Sequence, residues 1–262
     1  MFVRLLIVTA SLFLLIGCDP PAKDGNSSSS ISNSNAPTPS FSPPEPIKPS
    51  SAIDPNFKVN NPYFPLVPGS TLKYTIHYAS PVVANVIVVV DSAQENGRQL
   101  FAQTWQIVDT GGGDEKNENT VRRYVLDGDN VLQVYEKTQN MFRGQKTTSE
   151  LKFTKEAAVM PGVSSLRPGA TWSQSFTQVF QIAEEKPIVE DKTMTISYKI
   201  DGKEDVTVPA GKFKALKVIR EVTGNKLPIN DFYVQGVGLV KREAGDGTRL
   251  ELTEYHGVKP AE

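Results

Sequence analysis

The sequence from about residue 57 onward predicts an all-β, mainly antiparallel fold. Three observations carry that expectation. β-branched and aromatic residues alternate with polar ones over short runs, the period of a strand with one buried face. Asn-Gly, Asp-Gly and Pro-Gly words separate the runs at short intervals and supply the backbone angles that tight turns need. Few windows show the apolar period of a helix.

Taken in order, Pro68-Gly69 makes a turn that launches a strand through Thr71-Leu72-Lys73-Tyr74 toward Tyr78. Ala84 to Val90 is dense in β-branched residues, which fit a pleated, half-buried surface. Leu100 to Val108 follows across Asn96-Gly97, a pair that tolerates positive φ and closes a hairpin. Arg122 to Leu126 and Val131 to Tyr135 flank Asp127-Gly128-Asp129-Asn130. Lys155 to Val159 reads as a short helix ahead of Met160-Pro161-Gly162. Met194 to Ile200 leads into Asp201-Gly202-Lys203, and Lys212 to Val222 alternates. Leu239 to Glu243 and Arg249 to Tyr255 flank Ala244-Gly245-Asp246-Gly247. The stretches Glu184 to Pro187 and Glu190 to Lys192 read as solvated loop.

An internal echo runs through this region. Leu66-Val67-Pro68-Gly69-Ser70-Thr71-Leu72 matches Leu166-Arg167-Pro168-Gly169-Ala170-Thr171-Trp172, and Arg123-Tyr124-Val125 matches Phe232-Tyr233-Val234. Order and spacing agree, so two similar β-meander halves are expected, over 63–143 and 163–255. They would form a curved sheet or incomplete barrel.

The N-terminal part has a different grammar. Arg4 precedes an apolar run from Leu5 to Ile16, too short to span a bilayer and sized as the core of a signal peptide. Leu15-Ile16-Gly17-Cys18 follows, and Cys18 is the only cysteine of the chain. This resembles the bacterial lipobox. The resemblance implies cleavage after residues 1–17, a diacylglyceryl thioether on Cys18 and further acylation (palmitate-class chains) of the new amino terminus. Two or three chains anchor stably, because each buried CH₂ adds about 0.8 kcal/mol. The implied location is the bacterial cell envelope, facing the periplasm, with the membrane as partner through Cys18. Asp19 resembles an inner-membrane retention signal and leans the expectation that way.

Residues 18–56 are rich in Ser, Pro and Asn, with apolar residues scattered singly. Such a segment buries too little apolar surface to offset the entropy of ordering, so it reads as a disordered tether. It would span on the order of 35 Å as a flexible coil and roughly 110 Å as extended polyproline. Residues 57–262 then form one domain.

Tyr63-Phe64-Pro65-Leu66-Val67-Pro68-Gly69, Val208-Pro209-Ala210-Gly211-Lys212-Phe213-Lys214-Ala215 and Gly236-Val237-Gly238-Leu239-Val240-Lys241 resemble motifs of uncharacterised bacterial lipoproteins and exported β-rich proteins. Leu72 departs from that pattern, where Trp is usual. The resemblance implies a strongly curved sheet like that of periplasmic lipoprotein carriers, with acyl chains as candidate ligands.

Candidate chemistry is sparse. Lys and Arg number 28 against 29 Asp and Glu, so no basic field attracts nucleic acid. His77 and His256 are the only histidines; His77 sits on an alternating strand and His256 in the C-terminal tail. There is no metal-spaced His or Cys set, no nucleophile elbow, no phosphate loop and no cofactor fingerprint. Gly111 to Glu115, with Asp109 and Glu118, could be drawn as a cation loop, but reads first as a solvated hairpin tip. No metal, cofactor or catalytic residue is therefore expected. Aromatic residues stand out instead. On a concave sheet, Trp105, Trp172 and Phe176 would line a pocket for a hydrophobic ligand, a lipid or lipoprotein acyl chain. The leading expectation is a non-enzymatic envelope lipoprotein binding such a ligand or a protein partner. The alternatives are a structural lipoprotein docking an envelope complex, through a sheet edge or apolar patch, and a hydrolase built on His77.

Overall fold

Twelve antiparallel strands follow one another around a closed barrel, each paired with its neighbours in sequence. The computed structural model describes residues 47–95, 97–109, 117–142, 145–182, 188–225 and 227–261. The strands are β1 (Thr71–His77), β2 (Val83–Glu95), β3 (Arg98–Asp109), β4 (Asn117–Asp127), β5 (Asn130–Phe142), β6 (Gln145–Met160), β7 (Thr171–Ile182), β8 (Ile188–Val208), β9 (Gly211–Val222), β10 (Ile229–Val234), β11 (Gly238–Ala244) and β12 (Arg249–His256). The all-β antiparallel class is as the sequence predicts.

The barrel is closed, not incomplete. β1 pairs with β12 along its whole length, from Thr71 opposite His256 to His77 opposite Arg249. Hairpins repeat without a crossover, so strand twist accumulates in one sense until the two ends meet. No local word in either terminal strand announces that pairing, which explains why the sequence suggested an open sheet.

Two further expectations change. Lys155 to Val159 is strand, part of β6, and not helix. Its backbone is held by β5, with Leu132 opposite Ala158 and Gln133 opposite Ala157. A short 3-10 turn, Val163–Ser165, comes only after Pro161-Gly162. Residues 190–192, expected as loop, belong to β8, whose Glu190 pairs with Gln178 of β7. Gly111 to Glu115 and 184–187 lie outside the described residues.

Alternation decides what faces inward. Leu72, Tyr74 and Ile76 of β1 are buried, as are Ala84, Val86, Val88 and Val90 of β2. The intervening positions carry charge outward: Lys73 pairs with Glu254 at 2.5 Å and Lys137 with Glu150 at 2.9 Å. A lipid-spanning barrel has the reverse arrangement, an apolar band outside and a polar lumen.

Beyond a register shift at Ile200/Gly202, the β8–β9 hairpin folds back, and the Ala210 N–H donates to the Leu252 carbonyl at 3.0 Å. Val206, Val208 and Ala215 thereby join Val240, Leu250 and Leu252 in one buried cluster.

A strap runs over one end of the barrel ahead of β1. Tyr63 and Leu66 are buried in the same cluster as Phe101, Tyr124 and Tyr233. Asn61 Nδ2 donates to the carbonyls of Asp129 at 2.8 Å and Pro161 at 2.9 Å. The docked chain reaches further back than the composition suggested. Residues 47–56 fall within the expected tether, yet the Ser50 and Ser51 N–H groups donate to Asp91 Oδ1 at 2.8 and 3.0 Å. Ile47 donates to Gln106 Oε1 at 3.1 Å. These are backbone donors meeting side chains of β2 and β3, a contact that apolar content does not report.

The two Pro-Gly words make the same structure twice. Gly69 has φ 86° and donates to the Val90 carbonyl at 2.8 Å, while Gly169 has φ 83° and donates to the Ile200 carbonyl at 2.8 Å. Their surroundings differ. A Cβ on Gly69 would stand 2.7 Å from the Ile53 nitrogen and 2.8 Å from Ala52, whereas one on Gly169 would meet nothing within 4 Å. Gly169→Ala should therefore cost about 1 kcal/mol from the left-handed backbone alone. Gly69→Ala should cost clearly more and expose residues 47–56 to protease. Urea unfolding with limited proteolysis checks this, and equal costs would mean that the segment is not docked.

Candidate functional site

Strand parity builds a charged cluster inside the barrel. On β4 the even positions point inward, so Glu118, Thr120, Arg122 and Tyr124 line up behind one another. β5 faces them with Glu136 directly opposite Arg122. On β9 Arg220 continues the inward series Leu216, Val218. β10 supplies Asp231 and Tyr233, and β11 places Arg242 opposite Asp231. Three guanidiniums and two carboxylates thus meet in a space closed on all sides by sheet and at one end by the strap.

Two ion pairs organise the cluster. Arg242 grips Asp231 with both arms, Nε to Oδ1 at 2.5 Å and Nη2 to Oδ2 at 3.1 Å. Arg122 Nε donates to Glu136 Oε2 at 2.9 Å, and Gln133 Nε2 donates to the same oxygen at 3.0 Å. Asp231 and Glu136 are almost fully buried, at 2% and 3% side-chain exposure. Such pairs hold because each charge meets a hydrogen-bonded partner where water cannot reach.

Arg220 is different. Its Nε lies 3.5 Å from Asp231 Oδ2, beyond a good hydrogen bond, and is buried with no acceptor among the described residues. Burial and the neighbouring Arg242 lower its pKa from the ordinary arginine value. Burial would raise the Asp231 carboxyl, but the Arg242 and Arg220 charges outweigh it and hold the group below the usual range.

Aromatic rings pack around the charges. Tyr74 stacks on Trp105 with centroids 5.7 Å apart and planes at 11°, and the Arg122 guanidinium lies 4.9 Å over the Trp105 ring. The Tyr74 hydroxyl donates to the Leu239 carbonyl at 2.8 Å, and that of Tyr124 to Gln103 Oε1 at 3.3 Å. Burial raises the pKa of Tyr74, Tyr124, Tyr198 and Tyr233, so all four stay neutral. The space left among these side chains is about 80 Å³. That is room for roughly six waters, or one small molecule.

Of the aromatic residues expected to line a pocket, only Trp105 borders this cavity. Trp172 stacks on the far side of Tyr198, with centroids 5.1 Å apart and planes at 5°. Phe176 is fully buried in the core, its ring 6.0 Å from Phe153. His77 stands on the outer wall, 39% exposed and 3.8 Å from Glu251. Glu118 is interior, with Thr120 Oγ1 donating to it at 3.1 Å. Cys18, Leu15, Ile16, Gly17 and Asp19 lie outside the described residues. Among the described residues no cluster of His, Cys, Asp or Glu is placed to hold a metal ion.

Sequence reasoning missed Arg122, Glu136, Arg220, Asp231 and Arg242. A signal was present. Arg220, Asp231 and Arg242 interrupt apolar alternations on their strands, as in Leu216, Val218, Arg220, Val222, where a charge occupies an inward position; Arg122 and Glu136, beside Thr120 and Thr138, do not.

The chain belongs to the DUF3108-like family, whose profile matches residues 68–250. The match spans β1 to the start of β12 and so includes every member of the charged cluster. No curated protein matches the chain. Among solved structures, a Bacteroides fragilis protein described as exported with a YmcC-like fold is 14% identical, with 74% of this chain and 98% of that one covered and a TM-score of 0.46. A Parabacteroides distasonis protein described as a lipoprotein is 11% identical, with 76% and 100% covered and a TM-score of 0.38.

Glu118 provides a test of the interior. Burial pushes its carboxyl up to about 7, with the Thr120 hydrogen bond and the Arg122 charge pulling the other way. The folded state then keeps a proton that the unfolded chain gives up near pH 4.5. Stability should fall as pH rises from the unfolded value through about 7, by about 3 kcal/mol in all. Glu118→Gln should flatten that slope in urea unfolding across the interval. An unchanged slope would place Glu118 in solvent.

Proposed function

We propose that this protein is a lipid-anchored component of the bacterial envelope whose barrel docks a protein partner and performs no chemistry of its own. The observation that carries the reading is the filled lumen. A free volume of about 80 Å³ is well below the roughly 300 Å³ at which pockets for drug-sized ligands begin. An acyl chain does not fit this cavity, so the reading places docking on the outer wall and the barrel ends. Among the described residues the closed barrel offers no open sheet edge, which moves docking from edge pairing to loops and faces.

The anchor rests on Leu15-Ile16-Gly17-Cys18 after the apolar run, and the segment between Cys18 and the strap acts as the tether. The outward charges of the barrel wall suit a domain held beside the membrane rather than within it. The non-enzymatic reading is supported by the pairing of Arg122 with Glu136 and of Arg242 with Asp231, which leaves those carboxylates committed. The matching Pro-Gly turns, and the register shifts just before Tyr124 and Tyr233, support an origin by duplication of a six-strand unit.

The strap end is the docking face that fits best. Val59 and Val163 are exposed there, at 38% and 41%. Both flank the turn at Asp129, whose Oδ2 accepts the Val163 N–H at 2.8 Å while Asn60 Nδ2 donates to the Gly128 carbonyl at 3.2 Å. A photo-crosslinking residue at Val59 or Val163 of the full chain in cells should give a discrete protein adduct, and one at Asn119 on the wall should not. Cys18→Ser should abolish palmitate labelling and that adduct together. Labelling that survives Cys18→Ser removes the anchor, and a missing adduct at both valines removes the docking role.

A further inference from the structure

We infer that the barrel lumen is a binding site for one small oxyanion that also carries an O–H, held chiefly by Arg220. The inference concerns the interior alone and does not depend on the anchor or on the docking face.

Charge counting motivates it. The groups bordering the cavity include Arg122, Arg220 and Arg242 against Glu136 and Asp231, so one positive charge is left over. An uncompensated charge in a water-poor interior is strongly unfavourable, and it is tolerated when a counter-charge sits beside it. Glu118 does not supply that counter-charge at the cavity. It does not border the cavity, and burial holds its proton up to about pH 7.

Hydrogen bonding points to the same residue. Arg242 and Arg122 donate to Asp231 and Glu136, whereas the buried Nε of Arg220 has no hydrogen-bond partner among the described residues and stands 3.5 Å from Asp231 Oδ2. A guanidinium that borders a cavity with its Nε–H unpaired has the fork geometry that matches an oxyanion. Glu136 adds a second demand. Its Oε2 accepts two donors, but its Oε1 is buried and receives none. A ligand with an O–H donor would satisfy that oxygen, while a bare anion would be repelled by it. The volume of about 80 Å³ limits the ligand to a few heavy atoms. Hydrogen phosphate and a small hydroxy acid such as glycolate fit the chemistry. Sulfate and acetate have the charge without the donor.

Trp105 makes occupancy visible, because it borders the cavity under the Arg122 guanidinium. The full chain in detergent would be titrated with phosphate, glycolate, sulfate and acetate at constant ionic strength. Tryptophan emission and thermal midpoint are both followed. Phosphate or glycolate should raise the midpoint as ligand linkage requires, with sulfate and acetate at least about tenfold weaker. A response to phosphate alone, or to glycolate alone, identifies the source of the anion. Arg220→Met keeps the bulk and removes the charge. It should retain or raise the ligand-free midpoint, because the excess charge is gone, and it should abolish both responses. The inference is overturned if no anion acts beyond ionic strength, or if sulfate and acetate match their hydroxylated counterparts. It is also overturned if the response survives in Arg220→Met, which would place binding on the surface. Should Arg220→Met fail to fold, Arg220→Lys is the second variant: it keeps the charge and loses the fork, so tenfold or greater weakening is expected and unchanged affinity overturns the assignment.

Discussion

Closing twelve strands into one barrel creates an interior that must be filled, and the rest of the structure follows from that constraint. An eight-stranded barrel is about the size that ordinary side chains fill from its walls. A wider one leaves a gap along its axis, and a void there would forfeit contacts and destabilise the fold. The sequence meets the need with its longest inward residues. Tyr74, Trp105, Tyr124, Tyr198 and Tyr233 bring rings, and Arg122, Arg220 and Arg242 reach between them with long apolar stems. Once three arginines lie inside, Glu136 and Asp231 become necessary partners.

The same constraint explains the strap and the folded-back hairpin. The strap brings Phe64 against Tyr124, with centroids 5.3 Å apart, and so covers the end from which the lumen would otherwise open. The close approach of residues 51–53 to Gly69 shows how tightly it is laid down. The long β8 runs past its pairing with β7, and this extension, still paired with β9, covers β12, where β11 pairs over three residues only.

Much of the fold was legible locally. Alternation gave the strands, and Asn-Gly and Asp-Gly gave the hairpins, because both signals lie within a few residues. Closure was not legible, since Leu72 and Tyr255 meet only after the whole chain has wound round. The misread helix at 155–159 has the same cause: its Lys, Glu and Ala favour a helix, and pairing with β5 overrides them. The charge at Arg220 is readable from parity, but the aromatic residues are the stronger local signal, and of Trp105, Trp172 and Phe176 only Trp105 reaches the cavity. Trp172 and Phe176 share its strand-like pattern, but on β7 they fill other parts of the core.

A filled lumen and a charged outer wall suit the docking role proposed for the barrel ends, with the charged interior enclosed. The Arg122–Glu136 and Arg242–Asp231 pairs border one cavity, and the Arg242 and Arg122 charges both lower the Asp231 carboxyl, so the two pairs should behave as one electrostatic unit across the lumen. A double-mutant cycle of Asp231→Asn and Arg122→Met, read by urea unfolding, tests it most directly. The first change frees Arg242, and the second frees Glu136. In one shared unit the freed groups compensate each other, so the double variant should be more stable than the sum of the singles by at least about 0.5 kcal/mol. Additive costs would contradict the claim and leave two separate pairs that happen to share a barrel.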